Sequence, residues 1–279
     1  MKQLGKYSFL VIGIFLLFTG MVWYVPEFVT VSNNVYGKEL PIQSAETEEK
    51  KAALTFECAW GHGNLDKILE ILRRYDVRAA FFVTGNWAET YPQELQKIVQ
   101  GGHDIGNHSM THRNLKQLEE AEIKEEVMEA HQILTELAEK EIKFFRPPYG
   151  AFDDTILLTA KKVGYLTVMG SIDSMDWKDY GTEEIIKTVM ENKELQPGAV
   201  IRLNSETKYT KDALPRLIEK LQEEGYQIVP LSNLLYKDEY HLDAWTSGGS
   251  VFFFQWIGTV HRQNLCNVTG LVRPVVWNA

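Results

Sequence analysis

Short apolar, β-branched or aromatic runs alternate through the middle of this chain with segments whose apolar residues recur at helical spacing. Ala52 to Cys58 reads as a strand, and Asn64 to Tyr75 as an amphipathic helix with Leu65, Ile68, Leu69 and Leu72 on one face. Ala79 to Val83 is the next strand. A helix follows over Pro92 to Gln100, with its proline in the first turn, where a missing N–H costs nothing. Asp104-Ile105-Gly106 then leads into a long charged helix, Leu118 to Lys140. The alternation continues with Phe144-Phe145 before Asp154 to Val163, and Leu166 to Met169 before Thr182 to Asn192. It closes with Ala199 to Leu203 before Ala213 to Glu224, and a last strand at Gln227 to Val229. About seven βα cycles imply a parallel sheet, and such short strands predict a distorted or incomplete (β/α) barrel rather than an open sheet. Barrels of this kind carry their chemistry at the C-terminal strand ends. That rule singles out Glu57, Cys58, His108, Arg146, Asp173, Asp176 and Asn204.

The flanks break the pattern. Tyr7 to Val25 holds no charged residue across 19 positions, and Lys2 and Lys6 precede it. As a helix this run spans roughly 28 Å, close to the ~30 Å hydrocarbon core of a bilayer. The lysines favour a cytoplasmic N-terminus and an exported remainder, so residues 1–25 are expected to anchor an extracytoplasmic domain in a membrane. A cleaved signal sequence, giving a secreted protein, is the competing reading, although Val25-Pro26-Glu27 fits a cleavage site badly. Residues 26–50 show no sustained period and read as a linker, 51–236 as the main domain, and 237–279 as a tail. From Trp245 to Ala279 that tail has no Asp, Glu or Lys, and Val251 to Ile257 is strongly apolar. Packing on the barrel, pairing with a partner and poor folding all remain open for it.

Charge and cysteine content narrow the classes. The 279 residues carry a formal charge of −9, which argues against broad binding to nucleic acid or anionic membrane surfaces. Two cysteines, Cys58 and Cys266, are too few for a disulfide framework.

The candidate chemistry clusters at the predicted strand ends. His108-Ser109-Met110-Thr111-His112 places two imidazoles four residues apart. On one helical turn such a pair points to one side and suits a metal; a structural or surface pair is the plain alternative. In Arg146-Pro147-Pro148-Tyr149-Gly150 the arginine can pair with a carboxylate, and the prolines stiffen the loop so that backbone N–H groups can face a substrate oxygen. Asp173-Ser174-Met175-Asp176-Trp177 adds two acids and a ring that suits either a sugar face or a core.

Together with Leu54-Thr55-Phe56-Glu57-Cys58-Ala59-Trp60-Gly61, these segments resemble, in order, the motifs of the NodB-type polysaccharide deacetylases, carbohydrate esterase family 4. The resemblance runs from about Lys51 to Tyr236, and the Ala-Trp-Gly form of the first motif is similar to a sporulation-associated branch. It implies hydrolysis of N-acetyl groups on peptidoglycan or chitin-like polysaccharide, with a divalent metal, most often zinc. It further implies that His108 and His112 bind the metal, and that Arg146, Tyr149 and Asp176 serve catalysis. Trp177 and Leu203 then contact substrate.

Three positions depart from the family pattern. Glu57 stands where the family has its base aspartate, one methylene longer; a displacement of about 1 Å can cost on the order of 100-fold. Cys58 replaces the metal-binding aspartate. It is either a soft third zinc ligand or a small buried filler. Asn204, in Ile201-Arg202-Leu203-Asn204, replaces a proton-donating histidine and cannot give a proton at neutral pH. A weakened enzyme and a catalytically silent, glycan-binding or partner-binding relative are therefore both expected readings.

Overall fold

The computed structural model describes residues 34–35 and 38–235. The Tyr7–Val25 run, most of the expected linker before residue 38, and the tail from 237 lie outside the described residues. Among the described residues no helix is long and apolar enough to cross a membrane.

A two-residue pair, β1 (Asn34–Val35) and β2 (Lys38–Glu39), forms an antiparallel ladder of its own. The main sheet comprises β3 (Lys51–Cys58), β4 (Ala80–Val83), β5 (Asp104–Asn107), β6 (Phe144–Phe145), β7 (Leu166–Thr167), β8 (Ile172–Asp173), β9 (Ala199–Asn204) and β10 (Gln227–Ile228). All its ladders are parallel. The order is β7-β6-β5-β4-β3-β9-β8, with β10 pairing the start of β3. The helices are α1 (Leu65–Arg74), α2 (Gly85–Thr90), α3 (Pro92–Gln100), α4 (Glu120–Ala138), α5 (Asp154–Lys162), α6 (Thr182–Met190), α7 (Thr210–Glu223) and α8 (Leu231–Leu235). Since β7 and β8 are the ends of the path and do not pair, the barrel is incomplete, as its short strands predict.

Period-two alternation sorts the strand residues into two cores. Leu54, Phe56, Phe81, Val83, Ile201 and Leu203 face the helices and pack against residues such as Leu65, Ile68, Leu95 and Leu217. Ala53, Ala80, Phe82, Phe144, Val168 and Val200 fill the barrel interior. That inner core is closed from below by Leu231, Leu234 and Leu235 of α8. Asp104 anchors α8 by accepting hydrogen bonds from the Ser232 amide at 2.8 Å and hydroxyl at 3.0 Å.

Residues 41–45, expected within the linker, lie against the barrel. Ile42 is buried in the inner core and bridges to Val168, while Ser44 bridges to Ala199, so this stretch covers the region where β7 and β8 fail to meet. Helix α7 begins at Thr210, three residues before the expected Ala213, because the buried Thr210 hydroxyl donates to Asp176 at 2.6 Å.

Candidate active site

Parallel register brings the C-terminal strand ends together: Glu57 of β3 lies opposite Phe82 on one side and Asn204 on the other. Asn107 of β5 lies opposite Phe145 of β6, so His108 and Arg146 follow side by side. His108 Nδ1 lies 2.7 Å from the Arg146 carbonyl oxygen. A carbonyl only accepts, so Nδ1 carries the proton, and in the neutral ring Nε2 is left with a bare lone pair. That Nε2 is buried without a hydrogen-bond partner and sits 3.5 Å from Glu57 Oε2.

Arg146 is fully buried. Its Nε donates to the Val168 carbonyl at 3.0 Å, Nη1 reaches Glu57 Oε1 at 3.3 Å, and the guanidinium lies 4.0 Å over the Phe82 ring. Burial pulls it down to about 10, partly offset by Glu57. For Glu57, burial raises the carboxyl, but His108, Arg146 and Arg202 outweigh it and hold the group at about 2. It is a carboxylate at any physiological pH.

His112 follows on the same loop, its ring 4.9 Å from that of His108. Burial, and then His108, lower it to about 4, so it is a neutral imidazole near pH 7. Its Nδ1 is buried and has no hydrogen-bond partner. Besides His108, which also meets it edge-on, two further rings do so, Trp60 at 4.4 Å and Tyr149 at 4.7 Å. Both are largely exposed, at 63% and 66%. Nothing in the first motif assigns Trp60 a role, and its place beside His112 comes from the fold. The His loop is not a helical turn as expected: Ser109 and His112 have φ of 65° and 60°. Of the seven non-glycine residues with positive φ among those described, Ser109, His112, Tyr149 and Met175 lie in the motif segments at this mouth. Strain of this kind concentrates where the surrounding structure over-determines a functional geometry.

One residue escaped the sequence reading. Glu126 of α4 accepts from the Met110 and Thr111 amides, the Thr111 hydroxyl and Arg113 Nε. Its signal was present but unread: a carboxylate set into the apolar stripe of Ile123, Val127, Ala130 and Leu134.

The opposite side of the mouth belongs to Asp176, buried and raised above the ordinary range by that burial. It accepts the Asn204 amide and Nδ2 at 2.7 Å each, Thr207 Oγ1 at 3.1 Å and Thr210 Oγ1. Asp173 is held by Arg202 at 2.8 Å. Trp177 is 57% exposed at the rim and is not a core tryptophan.

Two expected site residues are corrected. Strand β3 continues through Cys58, which pairs with Val83, so alternation turns its thiol away from Glu57 and into the helix-side core. Burial pushes that thiol up to about 12, which suits the filler reading rather than a ligand. Leu203 is likewise buried in the helix-side core and does not line the mouth. The two histidines fit the metal expected here, each with a bare, buried ring nitrogen. A third donor is not in place: no group of three His, Cys, Asp or Glu among the described residues is arranged to hold a metal ion.

Comparison with known proteins follows the same lines. The family model described as polysaccharide deacetylase matches residues 44–168. A peptidoglycan-N-acetylglucosamine deacetylase of Bacillus cereus is 33% identical over 74% of this chain and 74% of its own. The peptidoglycan-N-acetylmuramic acid deacetylase PdaA of Bacillus subtilis is 30% identical over 71% of this chain and 76% of its own. Among solved structures, a carbohydrate esterase family 4 pseudoenzyme from Bacillus anthracis superposes with a TM-score of 0.68 at 32% identity, covering 71% of this chain and 69% of that one. A mutant of that pseudoenzyme is described as having restored enzymatic activity.

Proposed function

The chain belongs to the polysaccharide deacetylase family, and we propose that it removes N-acetyl groups from peptidoglycan or a related N-acetylated cell-wall polysaccharide at a reduced rate. The observation that carries this reading is the convergence of Glu57, His108, His112 and Arg146, with both histidines offering bare nitrogens. His108 and His112 would hold a divalent cation, most often zinc in this family, which supplies Lewis-acid activation of water.

The chain's own groups then divide the work. Arg146 pairs with Glu57 and keeps it ionised beside a neutral His108, so its carboxylate can take a proton from an attacking water. A carboxylate held near 2 is a weak base, and this slows the step. Trp60 and Tyr149 present exposed rings beside His112, and Trp177 another on the Asp176 side of the mouth, where a pyranose face can stack. The leaving amine needs a proton, and Asn204, bound to Asp176 through its Nδ2, has none to give. Loss of a general acid lowers the rate by about 10²–10⁴-fold.

The same Asn204 favours a second reading, a silent relative that binds glycan without hydrolysing it. Acetate release from N-acetylated glycans by the full chain, with added zinc or cobalt and a His108→Ala control, decides between them. Acetate above the control supports the enzyme; glycan binding without acetate supports the silent relative.

From the uncharged Tyr7–Val25 run we further propose a membrane-anchored protein with its barrel outside the cytoplasm. Recovery in the soluble fraction of a chain beginning beyond Val25 would instead mean cleavage and secretion.

A further inference from the structure

We propose that Glu126 is the positioning residue for His112. The two histidines are held in different ways. His108 is fixed through its own ring, by the bond between Nδ1 and the Arg146 carbonyl. His112 carries no hydrogen bond on its buried Nδ1; it meets the His108 ring edge-on at 4.9 Å, and the other two rings beside it are largely exposed, so no hydrogen bond at that nitrogen fixes the ring and the backbone sets its direction.

That backbone is strained, with both Ser109 and His112 in the left-handed region, which non-glycine residues adopt only when held there. The carbonyls of Ser109 and Met110 are taken by the Gly85 and Asn86 amides at 3.0 Å each. The Ser109 amide bonds Asn107 Oδ1 at 2.8 Å, and the His112 amide bonds Ser109 Oγ at 3.2 Å. The remaining amides of the turn, Met110 and Thr111, both donate to Glu126 Oε2, at 3.0 and 2.9 Å. The other oxygen takes the Thr111 hydroxyl and Arg113 Nε at 2.9 Å, which grips the loop on both sides of His112. Glu126 is itself buried on α4, whose register in the core is fixed by Val127, Ala130 and Leu134. A rigid helix thus transmits its position to the imidazole through a carboxylate that touches neither ring.

This inference rests on the reading of His108 and His112 as paired donors, but its first readout needs neither metal nor turnover. In the metal-free full-length chain, long-range proton–nitrogen spectra of the imidazoles are compared for Glu126→Ala, Glu126→Gln and the wild type. Leu134→Ala, a cavity further along the same helix, controls for lost stability. The exposed-position variants Thr111→Val and Arg113→Ala each remove one grip should the Glu126 variants fail to fold. The expected result is displaced or broadened His112 ring signals with those of His108 unchanged, together with about tenfold or greater loss of zinc affinity, the usual effect of removing a residue that orients a ligand. Leu134→Ala should show neither effect. Wild-type His112 signals in the Glu126 variants, or in Thr111→Val and Arg113→Ala where those alone fold, would overturn the proposal. So would the same changes in Leu134→Ala. Absence of zinc binding in the wild type would remove the metal reading and leave the His112 signals to decide the positioning role.

Discussion

The two sides of the barrel mouth are built to different standards. On the β5–β6 side, His108 and His112 sit in a loop whose amides and carbonyls are paired in turn by Glu126, α2 and Asn107, and Arg146 lies beside them at the end of β6. On the β3–β9 side the scaffold is equally tight, since Asp176 accepts four donors, yet the groups it presents are the Glu57 carboxylate and the Asn204 amide, the two reactive positions at which the sequence departs from the motifs it resembles. The difference teaches that the supporting bonds of a site and its reactive groups are separable. Asp176 satisfies its burial cost by accepting hydrogen bonds, and an amide serves that need as well as an imidazole would.

The harshest test of the first side is Arg146→Ala. Removing one partner of a buried ion pair leaves Glu57 partly buried and unpaired, so stability should fall by about 3–5 kcal/mol in urea unfolding. A loss below about 1 kcal/mol would mean that solvent already screens the pair.

Repairing the second side comes next. Asn204→His with Glu57→Asp should raise acetate release by at least about 100-fold, about 2.7 kcal/mol of barrel-mouth chemistry, because Asp176 is already placed to hold the new ring. No gain would locate the defect in glycan access or in metal retention.

Acid unfolding of the metal-free protein separates the two sides by pH window. His112 is held at about 4 when folded, against the 6.5 usual for an imidazole. Its contribution is therefore present above 6.5 and is lost as pH falls from there through 4. Glu57 stands at about 2 against 4.5, so its contribution is lost only as pH falls from 4.5 through 2. His112→Asn should flatten the first window and Glu57→Gln the second, in stability measured against pH. If either variant flattened both windows together, the pair would be titrating as one unit.

The smallest effect belongs to Cys58→Val. A swap of similar volume in the helix-side core should cost less than about 1.5 kcal/mol and leave zinc affinity unchanged. In a Cys266→Ser background, Cys58 should also resist thiol reagents at pH 8, as a buried thiol near 12 must. A collapse of zinc binding in Cys58→Val would restore Cys58 as a ligand.

The sequence by itself determined the alternation of strand and helix, the open barrel, and the strand ends that meet at its mouth, because period and turn chemistry are local properties of the chain. It also carried His108, His112, Arg146 and Asp176 in recognisable segments. What only the tertiary structure decided were matters of register and reach. Whether strand β3 stops before or after Cys58 chooses the face its thiol takes, and pairing with Val83 settles that. The same parity sends Leu203 to the helices and Asn204 to Asp176. Glu126 grips a loop more than a dozen residues earlier in the chain, and Thr210 starts α7 early for a carboxylate 34 residues away. Such contacts leave no periodic trace, since a buried polar group takes whichever partner the packed fold brings within hydrogen-bond distance.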